Sequence, residues 1–462
     1  MRKNLLFVCL LISIGTSAFA QVEGSSFSAT GRGGTATSFV TDYQAIGINP
    51  ANLGFDTDFH IALGIGEFGY GFYSGALAKD DVRNILFNNE DTIGVAEQEF
   101  LAREFLNEGF TINVDIMPVG VSFEIPKFGT IGLSIKANVA YRTQFGGEAA
   151  NIIFEGYNYE EYFDTIIFDG ETIYGVAYEP LSLSELFEDT ELMLNVNSEF
   201  NLAYGRKILG DDEKFALYGG AGVKFILGFA YLDISSEGGN LNGVSALGLD
   251  ILDVGDLNTP FPITSSAAEP VGKGVGFDLG LSAKVAKTLT LGLAITDIGK
   301  MTYDANVLQV NDFVLDTVAF SGVNTTDPIE LISQIFEEEN LIEYSGLSEF
   351  EVSLPTKVRL GGSLQVSDIF NVGIDAIFPV NTVAGSLASP VLGVGGEVKM
   401  FKVLKLSAGL STGGGYNYNI PAGIGLDLKF WELGVATRDV MTWFGEASPT
   451  VSFAAGFLRF KI

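Results

Sequence analysis

The chain alternates apolar and polar residues over long stretches, and this pattern constrains its fold more than any other feature. Between Ile131 and Arg142, apolar side chains occupy every second position up to Tyr141. A period of two over about ten or more residues is typical of a strand with one face in lipid and the other in a polar interior. Beyond residue 20 no run of about 18 apolar residues occurs, so no membrane-spanning helix is predicted. The sequence therefore predicts an all-β protein, a transmembrane antiparallel β-barrel.

About fourteen runs carry this pattern, and single-chain bacterial barrels have an even number of strands. The first run changes phase between Ile65 and Phe68, and the last changes phase near Phe457. Each change predicts a bulge or kink. The predicted strands occupy about residues 59–77, 110–126, 131–142, 192–204, 215–231, 273–286, 288–299, 356–367, 370–381, 391–401, 403–412, 420–430, 431–438 and 449–462.

The connections between these runs alternate in length. This alternation is expected when one end of a barrel carries short periplasmic turns and the other carries long extracellular loops, and it puts both chain ends in the periplasm. The short connections are residues 126–129, 208–213, 286–288, 367–369, 401–402 and 430–431. The long connections are about residues 78–109, 144–189, 233–272, 298–354, 382–390, 411–419 and 439–448.

Charge divides between the two ends in the same way. The first four long connections contain 36 of the 57 acidic residues but only four of the 26 basic residues. Such segregation is expected of a membrane protein and argues against a soluble periplasmic β-sandwich. The acidic loops could bridge divalent cations to the phosphates of lipopolysaccharide, or they could be solvated caps that are partly helical, as at Glu97–Glu108. The net charge of −31 argues against nucleic acid as a partner, since a phosphate backbone needs clustered cations.

The first twenty residues predict a secretory signal peptide, cleaved after Ala20. Arg2 and Lys3 precede an apolar run, and a small residue then stands at each end of Ala18-Phe19-Ala20, as a cleavage site requires. Cys9 is the only cysteine and lies within this peptide, so the mature chain is predicted to have no disulfide. With the barrel pattern, this signal predicts the outer membrane of a Gram-negative bacterium. The predicted organisation is a signal peptide at 1–20, an N-terminal plug or hatch segment at 21–58, and the barrel with long acidic loops at 59–462.

Residues 21–58 are rich in Gly, Ser and Thr and lack a strand-length alternation. A barrel of this size has a lumen wider than its side chains can fill, so this segment is predicted to fold inward as a plug. The alternative is a disordered tail beside a water-filled lumen. Many inward positions are glycine, which would let another backbone approach closely. They are Gly220, Gly222, Gly228, Gly276, Gly280, Gly292, Gly361, Gly373, Gly393, Gly395, Gly423 and Gly425.

Charges of both signs are also predicted to face the lumen. Buried charges must be paired, so these residues are expected to form a network that holds the plug. The members are Lys136, Arg142, Glu199, Lys224, Asp278, Arg359, Asp375 and Glu397.

The stretch Gly31-Arg32-Gly33-Gly34, then Asp42, then the run Asn49-Pro50-Ala51-Asn52-Leu53-Gly54 resembles the N-terminal signature of FadL-type barrels, the long-chain fatty-acid transporters. Similar signatures occur in the PorV-type barrels of type IX secretion and in relatives of unknown function. The resemblance implies a plugged barrel of fourteen strands. It also implies that Arg32, Asp42, Asn49, Pro50 and Ala51 are plug or ligand residues. Asn52 departs from the glycine usual in that signature.

Several kinds of chemistry are not predicted. His60 is the only histidine, which excludes histidine-based triads and multi-histidine metal sites. The dinucleotide-like run Gly64-Ile65-Gly66-Glu67-Phe68-Gly69 lies in a strand pattern with no helix after it, so it predicts no cofactor. We expect no enzyme, cofactor or metal site.

Two functions remain open from the sequence. One is passive transport of small hydrophobic molecules through or sideways out of a plugged barrel. The other is binding or assembly without transport, in which the outer loops engage a secretion-machinery protein or an exported partner. The expected surroundings in both cases are outer-membrane lipid and lipopolysaccharide.

Overall fold

The computed structural model describes residues 25–80, 93–170, 172–248, 269–324, 343–387, 389–445 and 450–462. The predicted signal peptide and residues 21–24 of the predicted plug lie outside these ranges. None of the helices in the described ranges is long and apolar enough to cross a membrane.

Fourteen antiparallel strands form one closed sheet among the described residues, which confirms the predicted barrel. Each strand pairs with the next along the chain, and the last pairs with the first, for example through Ala62 and Lys461. The strands are β1 (Ile61–Ser74), β2 (Gly109–Ile125), β3 (Gly129–Gln144), β4 (Glu191–Asp211), β5 (Phe215–Glu237), β6 (Gly272–Val285), β7 (Leu289–Tyr303), β8 (Lys357–Ser367), β9 (Phe370–Pro379), β10 (Val391–Met400), β11 (Leu404–Gly413), β12 (Ala422–Asp427), β13 (Trp431–Thr437) and β14 (Thr450–Lys461).

Short elements fill the connections and the N-terminal region. The α-helices are α1 (Phe27–Gly31), α2 (Val95–Phe105), α3 (Ala149–Glu155) and α4 (Leu183–Leu186), and the 3-10 helices are Asp42–Ala45, Pro50–Gly54, Gly156–Asn158 and Met441–Trp443. Further strands are Thr165–Asp169, Thr172–Val176, Asn240–Leu247, Val307–Asn311, Thr317–Val318, Glu343–Gly346, Phe350–Ser353 and Tyr416–Asn419. Helix α2 covers most of the stretch that was predicted to be helical.

Side chains alternate between the outside and the interior of the barrel, as β6 shows. Phe277, Leu279 and Leu281 are 51%, 52% and 47% exposed, whereas Asp278 and Ser282 are each 2% exposed. Exposed apolar side chains recur on the other strands and form a lipid-facing belt. The end of the barrel that carries the long connections is called the loop side below, and the opposite end is called the turn side.

Three neighbouring strands break this alternation at one level of the wall. In β1, Ile65 and Gly66 are both exposed, and Gly66 has a φ of 68°. Ile65 pairs with Leu458 of β14, where Phe457 and Leu458 are exposed in succession. It also pairs with Val119 of β2, next to a register shift between β2 and β3. The two predicted phase changes therefore occur side by side in space, because the first and last strands meet.

The long connections pack into a unit with its own apolar core, called the loop unit below. Phe105 of α2 stacks on Phe154 of α3 with ring centroids 5.2 Å apart, and Leu186 of α4 joins the same cluster. The cluster includes Tyr141 and Leu194, which alternate with inward residues and so lie on the outward face of the wall. The loop unit thus covers the outside of the strands at the loop side.

Candidate functional site

Residues 25–59, called the N-terminal segment below, are largely buried. Tyr43, Ala45, Asn49 and Ala51 are each 0% exposed. The segment forms short helical turns, because its frequent glycines and its Asn-Pro pair favour turns over strands. A polar segment of this kind is stable in a barrel only if its backbone groups find partners there.

The segment lies against inward glycines of the barrel wall. A Cβ atom built on Gly220 of β5 would be 2.3 Å from the backbone carbon and oxygen of Pro50. Nine of the twelve glycines predicted to permit such an approach have an atom of the segment near the Cβ position: Gly220, Gly280, Gly292, Gly361, Gly373, Gly393, Gly395, Gly423 and Gly425. The prediction was wrong for Gly222, Gly228 and Gly276, because wall side chains lie over them instead.

The run from Asn49 to Gly54 forms a turn that is fixed to β6. Asn49 caps the 3-10 helix, since its side chain accepts a hydrogen bond from the amide of Ala51 at 3.2 Å. The Asn49 Nδ2 donates to the carbonyl of Thr37 at 3.0 Å and to Ser282 Oγ at 2.9 Å. Ser282 Oγ in turn donates to Asn52 Oδ1 at 2.6 Å. Asn52, which departs from the glycine of the FadL-type signature, is therefore a structural member of the turn.

Three other contacts join the segment to charged wall residues. Arg32 lies 2.8 Å from Glu397 of β10 and also stacks on the Phe39 ring at 4.5 Å. Asp42 lies 2.6 Å from Arg459 of β14. Asp375 of β9 accepts hydrogen bonds from the amides of residues 36 and 37 at 3.0 and 2.7 Å. The side chains of these contacts are largely buried, and charge-assisted hydrogen bonds are among the stronger kinds.

Asp42 belongs to a larger ionic network on the last strands. Glu432 of β13 is 0% exposed and contacts three cations, Arg459 at 2.9 Å, Lys405 at 2.8 Å and Lys461 at 2.5 Å. Asp427 binds Lys461 at 3.2 Å and Lys405 at 3.3 Å. Desolvated charges are costly unless they are paired, and here each one has a partner of opposite sign.

The break in the wall holds a further contact with the segment. The Tyr43 hydroxyl donates to Glu67 of β1 at 2.5 Å, and Gln44 Nε2 donates to the same carboxylate at 3.1 Å. The Tyr43 ring also fills the space beside Gly64 and Gly120. Glu67 is 2% exposed because the kink at position 66 turns the following residue inward. The segment thus contacts the wall where its alternation is interrupted.

Sequence reasoning missed Glu67, Glu432, Arg459 and Lys461. The two phase changes were visible in the sequence, but which residues they turned inward was not assigned. If the inward and outward positions are assigned again from Glu67 onward in β1 and from Leu458 onward in β14, then Glu67, Arg459 and Lys461 are identified as inward. The pairing of Glu432 could not have been found in this way, because it depends on contacts among three strands.

The other predicted lumen residues lie in several places. Lys224 contacts Asp278 at 3.2 Å and Asp297 at 2.5 Å. Glu199 accepts a hydrogen bond from Asn138 at 3.3 Å. Lys136 donates to the carbonyl of residue 46, in the N-terminal segment, at 3.3 Å.

The two predicted lumen arginines lie near different carboxylates, and the charge of Arg359 interacts favourably with the carboxylates of Asp297 and Asp375. Arg142 pairs with Glu191 nearer the loop side. Arg359 is 1% exposed on β8. The eight residues are thus divided among several contacts, and Lys136, Asp375 and Glu397 contact the segment directly.

A chamber lies on the loop-side face of the segment. The chamber is partly open to solvent, and Gly47 of the segment lines it. The charged lining residues are Asp115, Lys136, Glu199, Lys224, Asp297 and Lys357, three of each sign. Three asparagines, Asn138, Asn195 and Asn197, add amide groups. An apolar wall is formed by Ile226, Met301, Tyr303, Leu354 and Pro355.

The apolar part of the chamber is extended by neighbouring residues. Its apolar wall continues into a cluster that includes Tyr231 and Met193 on the loop side. Among the residues that the structure describes, no group of three His, Cys, Asp or Glu side chains is placed to hold a metal ion.

Residues 50–437 match the family model DUF5723, which is described as a family of unknown function. The chain belongs to this family. The residues of this DUF5723 chain that match the family model extend from Pro50, where the 3-10 turn begins, to Thr437, where β13 ends. No curated protein matches it.

The DUF5723 chain is similar to several solved structures at low sequence identity. For the Pseudomonas putida toluene transporter TodX the identity is 12% and the TM-score 0.42, with 96% of this chain and 100% of that chain covered. For the Ralstonia pickettii toluene transporter TbuX the identity is 13% and the TM-score 0.42, with 96% and 99% covered. For a Pseudomonas aeruginosa FadL homologue the identity is 12% and the TM-score 0.42, with 96% and 99% covered.

Gly220→Ala tests the close approach of the segment to the wall. The added methyl would overlap the Pro50 backbone, so we expect the packing of the segment against the wall to be destabilised by about 1–3 kcal/mol. The readout is ion leak through the purified barrel in planar bilayers, which should rise roughly tenfold. Gly222→Ala is the matched control, because its Cβ would have its nearest neighbour at an ordinary 3.5 Å. Equal leak from both variants would contradict the expectation.

Asp42→Ala tests the ionic contact between the segment and β14. Removal of one partner of a buried ion pair typically costs about 3–5 kcal/mol, so the variant should lose its folded gel migration at a lower temperature. Arg459 also contacts Glu432 at 2.9 Å, so the coupling is measured with Arg459→Met alone and combined with Asp42→Ala, and we expect the double variant to lose less than the sum of the two single losses. Strictly additive effects of the two substitutions would show that the pair is not coupled.

Proposed function

We propose that this protein is an outer-membrane transporter in which the N-terminal segment is a plug and the chamber holds a small molecule in transit. The observation that carries the proposal is the chamber between the segment and the loop side, which is lined by charged and amide groups as well as by apolar side chains. Small-molecule sites typically combine an apolar lining with a few polar groups, and this chamber has both.

The lining of the chamber favours an amphipathic ligand. A hydrophobic body would pack against Ile226, Met301 and Leu354, and a hydrogen-bonding head would face the asparagines and the charged residues. Three cations and three anions line the space, so an uncharged or zwitterionic head suits it better than a strongly charged one. This refines the hydrophobic substrate implied by the FadL-type signature.

In this proposal the loop side faces the cell exterior and the turn side faces the periplasm. Short turns on one side and long acidic connections on the other support that orientation. The N-terminal sequence supports export. Outer-membrane lipid and lipopolysaccharide are then the immediate surroundings of the belt and of the acidic loops.

A ligand in the chamber needs a route past the segment. The break in β14, β1 and β2 offers one sideways through the wall. Tyr43 and Glu67 join the segment to the wall at this place by a hydrogen bond of 2.5 Å. Movement of the segment and opening of the wall would therefore be coupled.

Ile226→Trp tests the chamber. The larger ring would occupy ligand space, so we expect the copurifying amphipathic molecule and its uptake to fall roughly tenfold. The measurement is mass spectrometry of the extract from the purified barrel, together with uptake into cells. Leu360→Trp is the control, because Leu360 faces lipid and is 45% exposed. Finding no ligand in the native protein, and no uptake defect on deletion, would contradict transport.

A second candidate function is binding of a protein partner through the loop unit. It is favoured by the packed core of that unit, in which Phe105, Phe154 and Leu186 are each at most 4% exposed. Loops that served only as solvated caps would not need such a core. The partner would be a secretion-machinery protein or an exported protein.

Carbodiimide cross-linking of intact cells tests this second function. The reagent joins carboxylates of the loop unit to amines of a bound partner, and we expect one defined adduct that high salt abolishes. Salt sensitivity follows because exposed charges are screened over about 10 Å at 0.1 M salt. Absence of any adduct at low salt would exclude a cationic partner.

A further inference from the structure

One strand of the loop unit has an edge that no described residue covers. Thr172–Val176 is the middle strand of a small antiparallel sheet, with Thr317–Val318 on one side and Thr165–Asp169 on the other. Thr165–Asp169 has a partner on one side alone among the described residues. With respect to the described part of the chain, the backbone N–H and C=O groups on its other edge are therefore available for pairing.

The side chains on this edge strand are apolar and exposed. Ile166, Ile167 and Phe168 are 52%, 47% and 70% exposed. Because successive side chains point to opposite faces, both faces of the strand offer apolar surface. Natural proteins usually protect such an edge with lysine, proline or a bulge, and none of these is found in Thr165–Asp169.

The surroundings of the strand are acidic throughout. Residues 145–190 contain 11 Asp and Glu residues and no Lys, Arg or His. Burial, together with the charges of Glu99 and Glu161, raises the pKa of Glu155. A second copy of this chain would bring two acidic edges together, so it is a poor partner.

Immersion in lipid is also a poor explanation for the exposed apolar side chains. Unpaired backbone groups are costly in hydrocarbon, and open sheet edges are not found there. A partner that supplies both backbone hydrogen bonds and positive charge satisfies all of these features.

We propose that Thr165–Asp169 is a docking edge that binds an extended, apolar peptide segment flanked by Lys or Arg, which adds to the sheet as a further strand. Main-chain hydrogen bonds would provide affinity, and the alternate side chains Ile166 and Phe168 would provide apolar contacts. The proposal rests on the second candidate function, binding through the loop unit, and defines its surface and the chemistry of its partner. It does not depend on transport.

The test uses the full-length barrel in detergent and a labelled peptide of sequence Lys-Lys-Val-Thr-Val-Thr-Val-Lys-Lys. We expect saturable binding that weakens with salt. The same peptide with Glu in place of every Lys, and one with Pro at the central Val, should bind at least roughly tenfold more weakly. The first has the wrong charge, and the second has lost a backbone donor.

Ile166→Lys is the decisive variant, because it puts a cation on the edge and removes one of the two apolar side chains assigned to the contact; Ile166 is 52% exposed. It should weaken binding roughly tenfold or more. Val95→Lys is the matched control, since Val95 is also exposed, at 54%, on helix α2 of the loop unit. Heat-modifiable gel migration would show that both variants are folded.

Other outcomes would overturn the docking edge. They are no binding by the native protein, equal binding of all three peptides, or equal loss in both variants. Quenching of a Phe168→Trp variant by brominated lipid would instead assign the strand to the membrane. A cross-linked partner in cells combined with no peptide binding would preserve the second function and reject this edge. Peptide binding with no adduct in cells would preserve the edge and reject a resident partner.

Discussion

A closed sheet of fourteen strands encloses more space than its inward side chains can fill, and the rest of the interior depends on how that space is occupied. In this chain it is occupied largely by backbone lying against backbone. The turn at Pro50 can approach β5 only because residue 220 has no side chain, and the same holds around most of the wall. Hydrogen bonds from Asn49 and Asn52 then fix the turn in one orientation.

The charges inside the barrel follow from this close contact. Once the N-terminal segment excludes water, each ionised group near it needs a partner. Glu432 shows the result, with three cations around one fully buried carboxylate. The chamber differs, because Lys136 and Glu199 line an open space there. The interior around Glu432 is thus densely packed, whereas the chamber retains open space lined by hydrogen-bonding groups.

Much of the fold could be predicted from the sequence, because period-two alternation depends only on which face a residue occupies. It identified fourteen strands and the alternation of short and long connections. The alternation could not show that the loops pack on the outward side of the wall. Apolar residues such as Tyr141 and Leu194 give the same sequence pattern whether they contact lipid or a covering loop. The inward direction of Arg459 was also missed, because a single irregular residue reverses parity for the rest of a strand. The pairing of Asp42 with Arg459 depends on tertiary contact, and no local pattern contains it.

The ionic contact between Asp42 and Arg459 joins residues 417 positions apart. Arg459 stands at the end of the last strand, so its partner near the start of the chain must wait until the whole barrel has been made. A chain that stopped short of β14 would keep its N-terminal segment but lose the cation that holds it. The contact therefore links the N-terminal segment directly to the strand that closes the barrel against β1.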